Sequence, residues 1–167
     1  MRYICTSIVA TLAFIGTSIA ATINVPSDQP TIAAAISASV NGDVINIAAG
    51  TYNEHSLNTG GKAITIRGTL NGDGTLATTI DAQQGGIVFV IDSGEGDETV
   101  IKDLVITGGH AFGLALLPNQ GAGISCYNES NPTISGCTIV SNAALNGGGG
   151  IFCENSNPTI TDCTISN

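Results

Sequence analysis

Residues 123–142 read GISCYNESNPTISGCTIVSN and residues 150–167 read GIFCENSNPTITDCTISN, so one pattern occurs twice in succession. The first cysteines of the two units, Cys126 and Cys153, lie 27 residues apart, and the second cysteines lie 26 residues apart. A turn between the two cysteines of a unit would absorb the difference of one residue. A period of this size is typical of stacked units that cannot bury an apolar face alone. The sequence therefore predicts a solenoid.

Each unit alternates apolar residues with small polar ones, as in Ile124, Ser125 and Cys126. This alternation predicts short strands with one buried face. Asn, Pro and Gly between the apolar pairs predict tight turns, and no stretch of the unit fits an amphipathic helix. The predicted unit is one coil of an all-β parallel β-helix, with equivalent residues stacked about 4.8 Å apart. In this arrangement Asn142 would lie over Asn167 in an amide ladder.

The same pattern continues upstream with longer loops. The aligned segments are 86–89 with 123–126, and 101–106 with 134–139. This alignment places Phe89 at the position of Cys126 in the preceding coil. Extra residues fall at 92–98 and at 110–120, and insertions in a solenoid often gather on its binding face. We therefore expect these two loops to carry any binding function.

The region before the first coils predicts a cap over the N-terminal end of the β-helix. Ile32, Ala35 and Ile36 recur at helical spacing, with Thr31 or Asp28 as the N-cap. Such a helix would keep water out of the apolar interior and cover exposed strand edges. The predicted organisation is a secretory signal peptide at 1–20, the cap and first strand at 21–54, coils with longer loops at 55–120, and regular repeats of 26–27 residues at 121–167.

The first twenty residues have the features of an export signal. Arg2 precedes an apolar run over 4–15, and the small residues Ser18 and Ala20 stand before Ala21. We therefore expect an extracellular or cell-surface protein. No later segment is apolar enough for a transmembrane span.

Composition excludes some classes of partner. The chain has 13 acidic and 4 basic residues, with a formal net charge of −9. Nucleic acid is not expected as a partner, because its phosphates are bound by Lys and Arg. An acidic polysaccharide would be repelled unless cations bridged it, and the absence of tryptophan limits sugar stacking.

Several segments resemble a known superfamily. Residues 30–36, 49–54 and 62–68, which read PTIAAAI, AGTYNE and KAITIRG, are similar to the capping segment and next coil of the pectin-lyase-like right-handed β-helix superfamily. The closing repeats resemble those of secreted and surface bacterial β-helix proteins. The resemblance implies a right-handed parallel β-helix solenoid. It leaves function open, because the superfamily includes lyases, hydrolases, esterases and adhesins.

The sequence supports two functional hypotheses. The first is a secreted or surface-displayed structural or binding module, adhesive or in contact with a polysaccharide or cell-surface glycan. The alternative is the N-terminal portion of a polysaccharide-active enzyme whose catalytic coils lie beyond residue 167. The chain stops on an internal repeat, so we expect an uncapped C-terminal end and self-association through that open coil.

The sequence leaves the metal ligands and the cysteine pairs open. Alternating carboxylates of Asp92, Glu95 and Asp97 in a glycine-rich loop suit Ca²⁺, the one cofactor that the sequence suggests. The 71–74 segment is a similar case and is expected to be a turn. Cys126 with Cys153, and Cys137 with Cys163, should stack on neighbouring coils as buried thiols or as disulfides.

No catalytic constellation is visible in the sequence. The superfamily's lyases, hydrolases and esterases use clustered Asp, Glu, Arg or Lys side chains, whereas the outward positions of the clean repeats, such as Ser125 and Thr138, carry no acid or base. The isolated titratable residues are Lys62, Arg67, Lys102, Asp81, Asp103, His55 and His110. The visible residues favour a protein without catalytic activity of its own and leave the enzyme alternative open.

Overall fold

The computed structural model describes residues 19–112 and 121–166. In chain order its elements are β1 (Thr22–Val25), α1 (Ile32–Ala38), β2 (Val44–Ile47), β3 (Gly50–Tyr52), β4 (Thr65–Arg67), β5 (Thr78–Asp81), β6 (Phe89–Ile91), β7 (Val100–Lys102), β8 (Val105–Thr107), β9 (His110–Ala111), β10 (Ile124–Cys126), β11 (Thr133–Ser135), β12 (Thr138–Val140), β13 (Ala143–Ala144), β14 (Ile151–Cys153), β15 (Thr159–Thr161) and β16 (Thr164–Ser166). Most of the predicted signal peptide and residues 113–120 of the second predicted loop lie outside the described ranges.

The strands form walls that run along the axis of a solenoid. The six-stranded wall is β1-β2-β4-β7-β11-β15, the five-stranded wall is β16-β12-β8-β5-β3, the three-stranded wall is β14-β10-β6, and β13-β9 form a short pair. Every pairing within these walls is parallel and joins one coil to the next. The all-β, parallel β-helix prediction is therefore confirmed.

Stacked isoleucines form the centre of the core. Ile45, Ile66, Ile101 and Ile134 pair in register along the six-stranded wall, and each is fully buried. β-Branched side chains pack well on a pleated strand, and burial of each such side chain contributes roughly 1.5–3 kcal/mol. Because these side chains stack directly, their positions fix the register of each coil on its neighbour.

Helix α1 covers the first coil, as the sequence predicts. Thr31 is its N-cap, and the Thr31 hydroxyl accepts a hydrogen bond from the Ala34 N–H at 3.1 Å. Glu54 adds a second cap, because its carboxylate accepts hydrogen bonds from the first helical N–H groups at 2.8 and 2.9 Å. At the other end, Lys62 Nζ donates to the Ile36 carbonyl at 2.6 Å. These contacts satisfy the helix termini and leave the apolar face on the coil.

The structure confirms one of the upstream alignments and corrects the other. Ile101 pairs with Ile134, as predicted. In the other alignment Phe89 lies beside Ile124, and Ile91 is the residue that lies beside Cys126, so the predicted alignment is wrong by two residues. A Gly-Ile pair occurs at 86–87 and again at 123–124, and matching these two pairs gives the wrong alignment. Ile87 leaves the interior and joins a separate outer cluster with Ala111 and Ala122, so the strand begins later than the pattern suggests.

The two closing repeats stack with the predicted change of one residue. Cys126 pairs with Cys153 and Thr133 pairs with Thr159, so the shorter spacing arises at the turn between these strands. In the last coil the inward side chains of Ile160 and Ile165 are 41% and 48% exposed. An uncapped C-terminal end and self-association through this coil stay predictions.

Asn142 stabilises a turn from within. Its buried side-chain amide donates to the Ile106 carbonyl at 2.9 Å and accepts from the Gly109 N–H at 2.8 Å. The predicted partner in the amide ladder, Asn167, lies outside the described residues.

Candidate functional site

The outer surface of the three-stranded wall carries Val90, Ser125 and Phe152, which stack in register on successive coils. Ser125 occupies the outward position that the sequence predicts, but it is fully buried there. Its hydroxyl accepts from the Gly121 N–H at 2.8 Å and donates to the Gly121 carbonyl at 2.9 Å. The segment before β10 therefore folds back over this part of the wall and leaves Phe152 as the main outward side chain.

An aromatic pair lies on the open part of this wall. The rings of Tyr127 and Phe152 have centroids 5.9 Å apart and are inclined by 49°. Both side chains are partly exposed. A Cβ atom at Gly121 would lie 2.9 Å from the Cβ of Phe152, so the absence of a side chain at Gly121 leaves the space that Phe152 occupies. Backbone contact and ring contact together hold the aromatic pair in place.

A second aromatic group lies at the end of β9. His110 and Phe112 pack edge to face with centroids 4.3 Å apart, and Phe112 is 45% exposed. These two side chains line a cleft of about 210 Å³ with Gln84, Gly85 and Gly86.

Both histidines of the chain lie near this glycine pair. The His55 ring lies 2.7 Å from the position that a Cβ of Gly85 would occupy, so the glycine is needed for His55 to fit. The His110 N–H donates to the Gly86 carbonyl at 2.9 Å. His55 and His110 therefore both contact the turn at Gly85 and Gly86, although they are far apart in the sequence.

The Tyr127–Phe152 pair is the aromatic contact on the three-stranded wall, and we call these two residues the aromatic face. Phe112 packs on His110 instead. The other described aromatic side chains have structural positions, because Phe89 is buried in the interior and the Tyr52 hydroxyl donates to the Ala48 carbonyl at 3.2 Å. Sequence reasoning missed the aromatic face, because its members become neighbours only once the coils are stacked.

The surroundings of Tyr127 are acidic. Burial raises the pKa of the Tyr127 hydroxyl, a hydrogen bond with Ser125 lowers the pKa, and the negative charges of Glu154 and Asp92 raise it further. The phenol therefore stays protonated at neutral pH and keeps its O–H donor. Negative charge at the edge of the aromatic face disfavours acidic ligands there.

The loop at 92–98 does not bring its three candidate calcium ligands together. Glu95 turns inward and is almost fully buried, Asp92 Oδ1 accepts from the Asn58 side-chain amide at 2.8 Å, and Asp97 is exposed. Within 19–112 and 121–166, no three His, Cys, Asp or Glu side chains are grouped as metal ligands. Calcium binding at Asp92, Glu95 and Asp97 stays a prediction that the geometry does not favour.

Glu95 instead connects three coils. Its Oε1 accepts from the Thr59 hydroxyl at 2.6 Å and the Gly61 N–H at 3.0 Å, and its Oε2 accepts from the Ser93 N–H and the Ser130 hydroxyl, each at 2.8 Å. Burial alone raises the pKa of Glu95, but these four hydrogen bonds outweigh it, and the pKa lies below its usual value. The carboxylate is therefore a charged structural group.

The cysteine pairs stack as predicted and are free thiols in the structure. The predicted burial is correct for Cys126 and Cys137 and wrong for Cys153, which is exposed in the last coil, while Cys163 is partly exposed. Cys126 pairs in register with Cys153, and Cys163 Sγ accepts from the Cys137 N–H at 3.4 Å. Burial raises the pKa of Cys126 and of Cys137 to about 12. Neither buried thiol is suited to nucleophilic chemistry, which needs the thiolate.

The remaining titratable candidates serve separate local roles. Asp81 Oδ1 accepts from the Gln83 N–H at 2.8 Å, and Lys102 Nζ lies 3.3 Å from Asp103 Oδ2. Arg67 lies on the outer face of the six-stranded wall beside Lys102. Across the described part of the chain, these side chains do not converge on the aromatic face.

The predicted turn at 71–74 is the tip of a hairpin. Leu70 and Leu76 pair antiparallel, and the Asn71 N–H donates to the Thr75 carbonyl at 2.8 Å. The hairpin forms one side of a groove of about 450 Å³, whose floor includes Asp103, Gly136 and Asp162. This groove lies at the bend between the six-stranded and five-stranded walls, on another side of the molecule from the aromatic face.

Comparison of the sequence with known proteins identifies its fold family. A family model described as the right handed beta helix region matches residues 57–167. No curated protein and no solved structure matches the chain. Among the described elements, no helix has the length and apolar character needed to cross a membrane.

Proposed function

Since this chain belongs to the right-handed β-helix family, we propose that it is a secreted or surface-displayed binding module that contacts glycans through the aromatic face. The observation that carries the proposal is the contact between the Tyr127 and Phe152 rings on the three-stranded wall, beside the loop at 92–98, where the Tyr127 N–H donates to the Ile91 carbonyl at 2.8 Å. Loops and side chains held by a rigid scaffold are common binding surfaces.

The chemistry of the aromatic face suits a sugar. A sugar ring has an apolar C–H face that can lie on an aromatic ring, and hydroxyl groups at its edge that need hydrogen-bond partners. Phe152 supplies apolar surface, and Tyr127 adds a hydroxyl to its ring.

The charge distribution narrows the class of glycan. Asp92 and Glu154 act on Tyr127, and the chain as a whole has a net charge of −9. A uronic acid polymer or a sulfated glycan would be repelled at this edge. We therefore propose a neutral glycan as the ligand.

Binding is favoured over catalysis by the placement of the titratable groups. Hydrolysis of a glycosidic bond needs two carboxyl groups that flank the bond at a fixed separation. In the neighbouring loop at 92–98 Glu95 is buried and held by four donors, and Asp92 accepts a hydrogen bond from Asn58. The described residues therefore support a module that holds a glycan without cleaving it.

The test is calorimetric titration with neutral oligosaccharides of glucose, xylose and mannose, and with oligogalacturonate as the acidic counterpart. We expect a neutral oligosaccharide to bind, and Phe152→Ala and Tyr127→Ala to weaken it three- to tenfold, since an aromatic contact is worth about 0.5–1.5 kcal/mol and 1.4 kcal/mol is tenfold. Leu70→Ala is the control, because it removes an exposed apolar side chain from the hairpin. Absence of neutral binding, or equal affinity in all variants, would refute the proposal.

Export has its own test. Residues 1–20 support secretion, and a mature protein that begins at Ala21 is the expected product. Mass spectrometry of the protein from the culture medium would measure this N-terminus. A chain that keeps Met1 and stays inside the cell would refute export.

A further inference from the structure

The outer face of the six-stranded wall has an unusual charge distribution. Two columns of side chains point outward along it, and neither contains Asp or Glu, although the chain has 13 acidic residues. The columns are Thr22, Val44, Thr65, Val100, Thr133, Thr159 and Asn24, Asn46, Arg67, Lys102, Ser135, Thr161. Two of the chain's 4 basic residues lie side by side in the second column.

Arg67 and Lys102 are in-register neighbours on β4 and β7, about 4.8 Å apart along the column. Arg67 is exposed and forms no ion pair with any carboxylate of residues 19–112 or 121–166. Lys102 lies 3.3 Å from Asp103 Oδ2, and its side chain is still 39% exposed. One acidic group is therefore available for two adjacent positive charges, and a second anion would relieve their repulsion.

A chain of hydrogen bonds orients Arg67. Asn24 donates to Asp28 Oδ2 at 2.8 Å, Asn46 donates to Asn24 Oδ1 at 3.3 Å, and Arg67 Nε donates to Asn46 Oδ1 at 3.1 Å. Each amide in the chain is fixed by the one before it. The guanidinium is therefore held at Nε, and its terminal NH₂ groups stay available to a ligand.

We infer that Arg67 and Lys102 form a binding site for an oxyanion, that is, a sulfate, phosphate or carboxylate group. The planar guanidinium matches two oxygens of such a group, and the Lys102 ammonium supplies a second positive charge. Ser135 and Thr161 continue the column and offer hydroxyl donors to the rest of the ligand. This site lies on a different wall from the aromatic face, so it does not depend on the proposed glycan function.

Nuclear magnetic resonance of the full chain provides the test, because the Nε–H signal of Arg67 reports directly on the site. Arg2 is the other arginine of the chain, so Arg67→Lys identifies the Arg67 signal by its loss. Sodium sulfate is titrated against sodium chloride at equal ionic strength. We expect sulfate to shift the Arg67 signal to saturation, with no saturable shift in chloride.

Two variants distinguish sulfate binding at the Arg67–Lys102 site from a general effect of the net charge. Lys102→Gln should weaken sulfate binding at least fivefold. Lys62→Gln removes the same charge and should leave the affinity within twofold, since the Lys62 ammonium is bound to the Ile36 carbonyl at the end of α1 and does not belong to the Arg67–Lys102 column. Equal weakening in both variants would mean that net charge alone is responsible, and would overturn the inference.

Two further probes distinguish the sources of the oxyanion. Galacturonate represents an acidic sugar, and glycerol 3-phosphate represents a lipid headgroup. Tighter binding of either one than of sulfate identifies that source, and equal binding of all three identifies the oxyanion itself as the ligand. No saturable shift with any probe up to about 50 mM, well above the millimolar affinity expected here, would overturn the inference.

Discussion

Replacement of Glu95 by glutamine tests whether one buried carboxylate holds three coils together. Glutamine has nearly the same shape, but one of its two terminal atoms is an NH₂ group that donates. The hydroxyls of Thr59 and Ser130 can rotate and accept from this group. The backbone N–H groups of Gly61 and Ser93 cannot reverse, and they bind different oxygens of Glu95. Either orientation of the amide therefore leaves one backbone N–H facing a donor.

This geometry determines how much the Glu95→Gln replacement lowers the free energy of unfolding. A hydrogen bond to a charged group contributes about 1.5–3 kcal/mol, and a buried donor without a partner costs about 1–3 kcal/mol. Because the terms overlap, we expect Glu95→Gln to lower the free energy of unfolding by about 2–4 kcal/mol at pH 7. With a slope of about 2 kcal/mol per molar, the urea midpoint should fall by roughly 1–2 M.

Urea unfolding followed by circular dichroism is the assay, with Glu98→Gln as the matched control. Glu98 lies in the same loop and is exposed, so its replacement removes the same charge. The control should change the free energy of unfolding by less than about 0.5 kcal/mol. Equal effects of the two variants would refute the role of the four hydrogen bonds.

The difference between wild type and Glu95→Gln should also depend on pH. The pKa of Glu95 is lower in the folded state than its usual value, so ionisation stabilises the fold above the unfolded pKa. This contribution is lost as pH falls through the folded pKa. The two proteins should therefore converge in stability on acidification, and a constant difference down to strongly acidic pH would contradict the reasoning.

Two further predictions concern the interior. Gly68→Ala should destabilise the fold by about 3 kcal/mol or more, because its Cβ would clash with the Asp103 carbonyl oxygen of the next coil, whereas Gly72→Ala, with nothing within 4 Å, should be neutral in thermal unfolding. Iodoacetamide at pH 8 should modify the exposed Cys153 and leave Cys126 and Cys137 unmodified until urea is added, because burial raises the pKa of both to about 12. Peptide mass spectrometry would measure both states, and rapid labelling of Cys137 in the folded protein would contradict the buried placement.

The sequence predicts the fold well, because a β-helix repeats one local pattern. The alternation around Ile134 and Ile139 marks strands, and the repeat period stacks them. The pattern fails where a residue leaves the interior. Ile87 looks like an inward isoleucine, but it packs against Ala111 and Ala122 outside the main core, and this displaces the predicted alignment by two residues.

The candidate sites were harder to predict, because their members come from different coils. The acidic loop was visible in the sequence, but the inward turn of Glu95 depends on donors from Thr59 and Ser130 in the coils on either side. Likewise, Phe152 occupies an outward position whose counterpart Ser125 is buried by the preceding segment. Position within a repeat therefore gives the direction of a side chain, and the loops decide whether it is exposed.

Because extra residues are accommodated at the corners of the solenoid, the number of residues in a coil does not change the height that the coil adds to a wall. The coil that runs from Thr65 to Val100 includes a hairpin and is longer than the coil from Thr133 to Thr159, yet each adds a single strand to the same wall. Extra residues therefore extend sideways and leave the stacking of the walls unchanged. One corner of such a molecule can acquire a new surface while the others keep theirs, so several unrelated binding functions can coexist on one short chain.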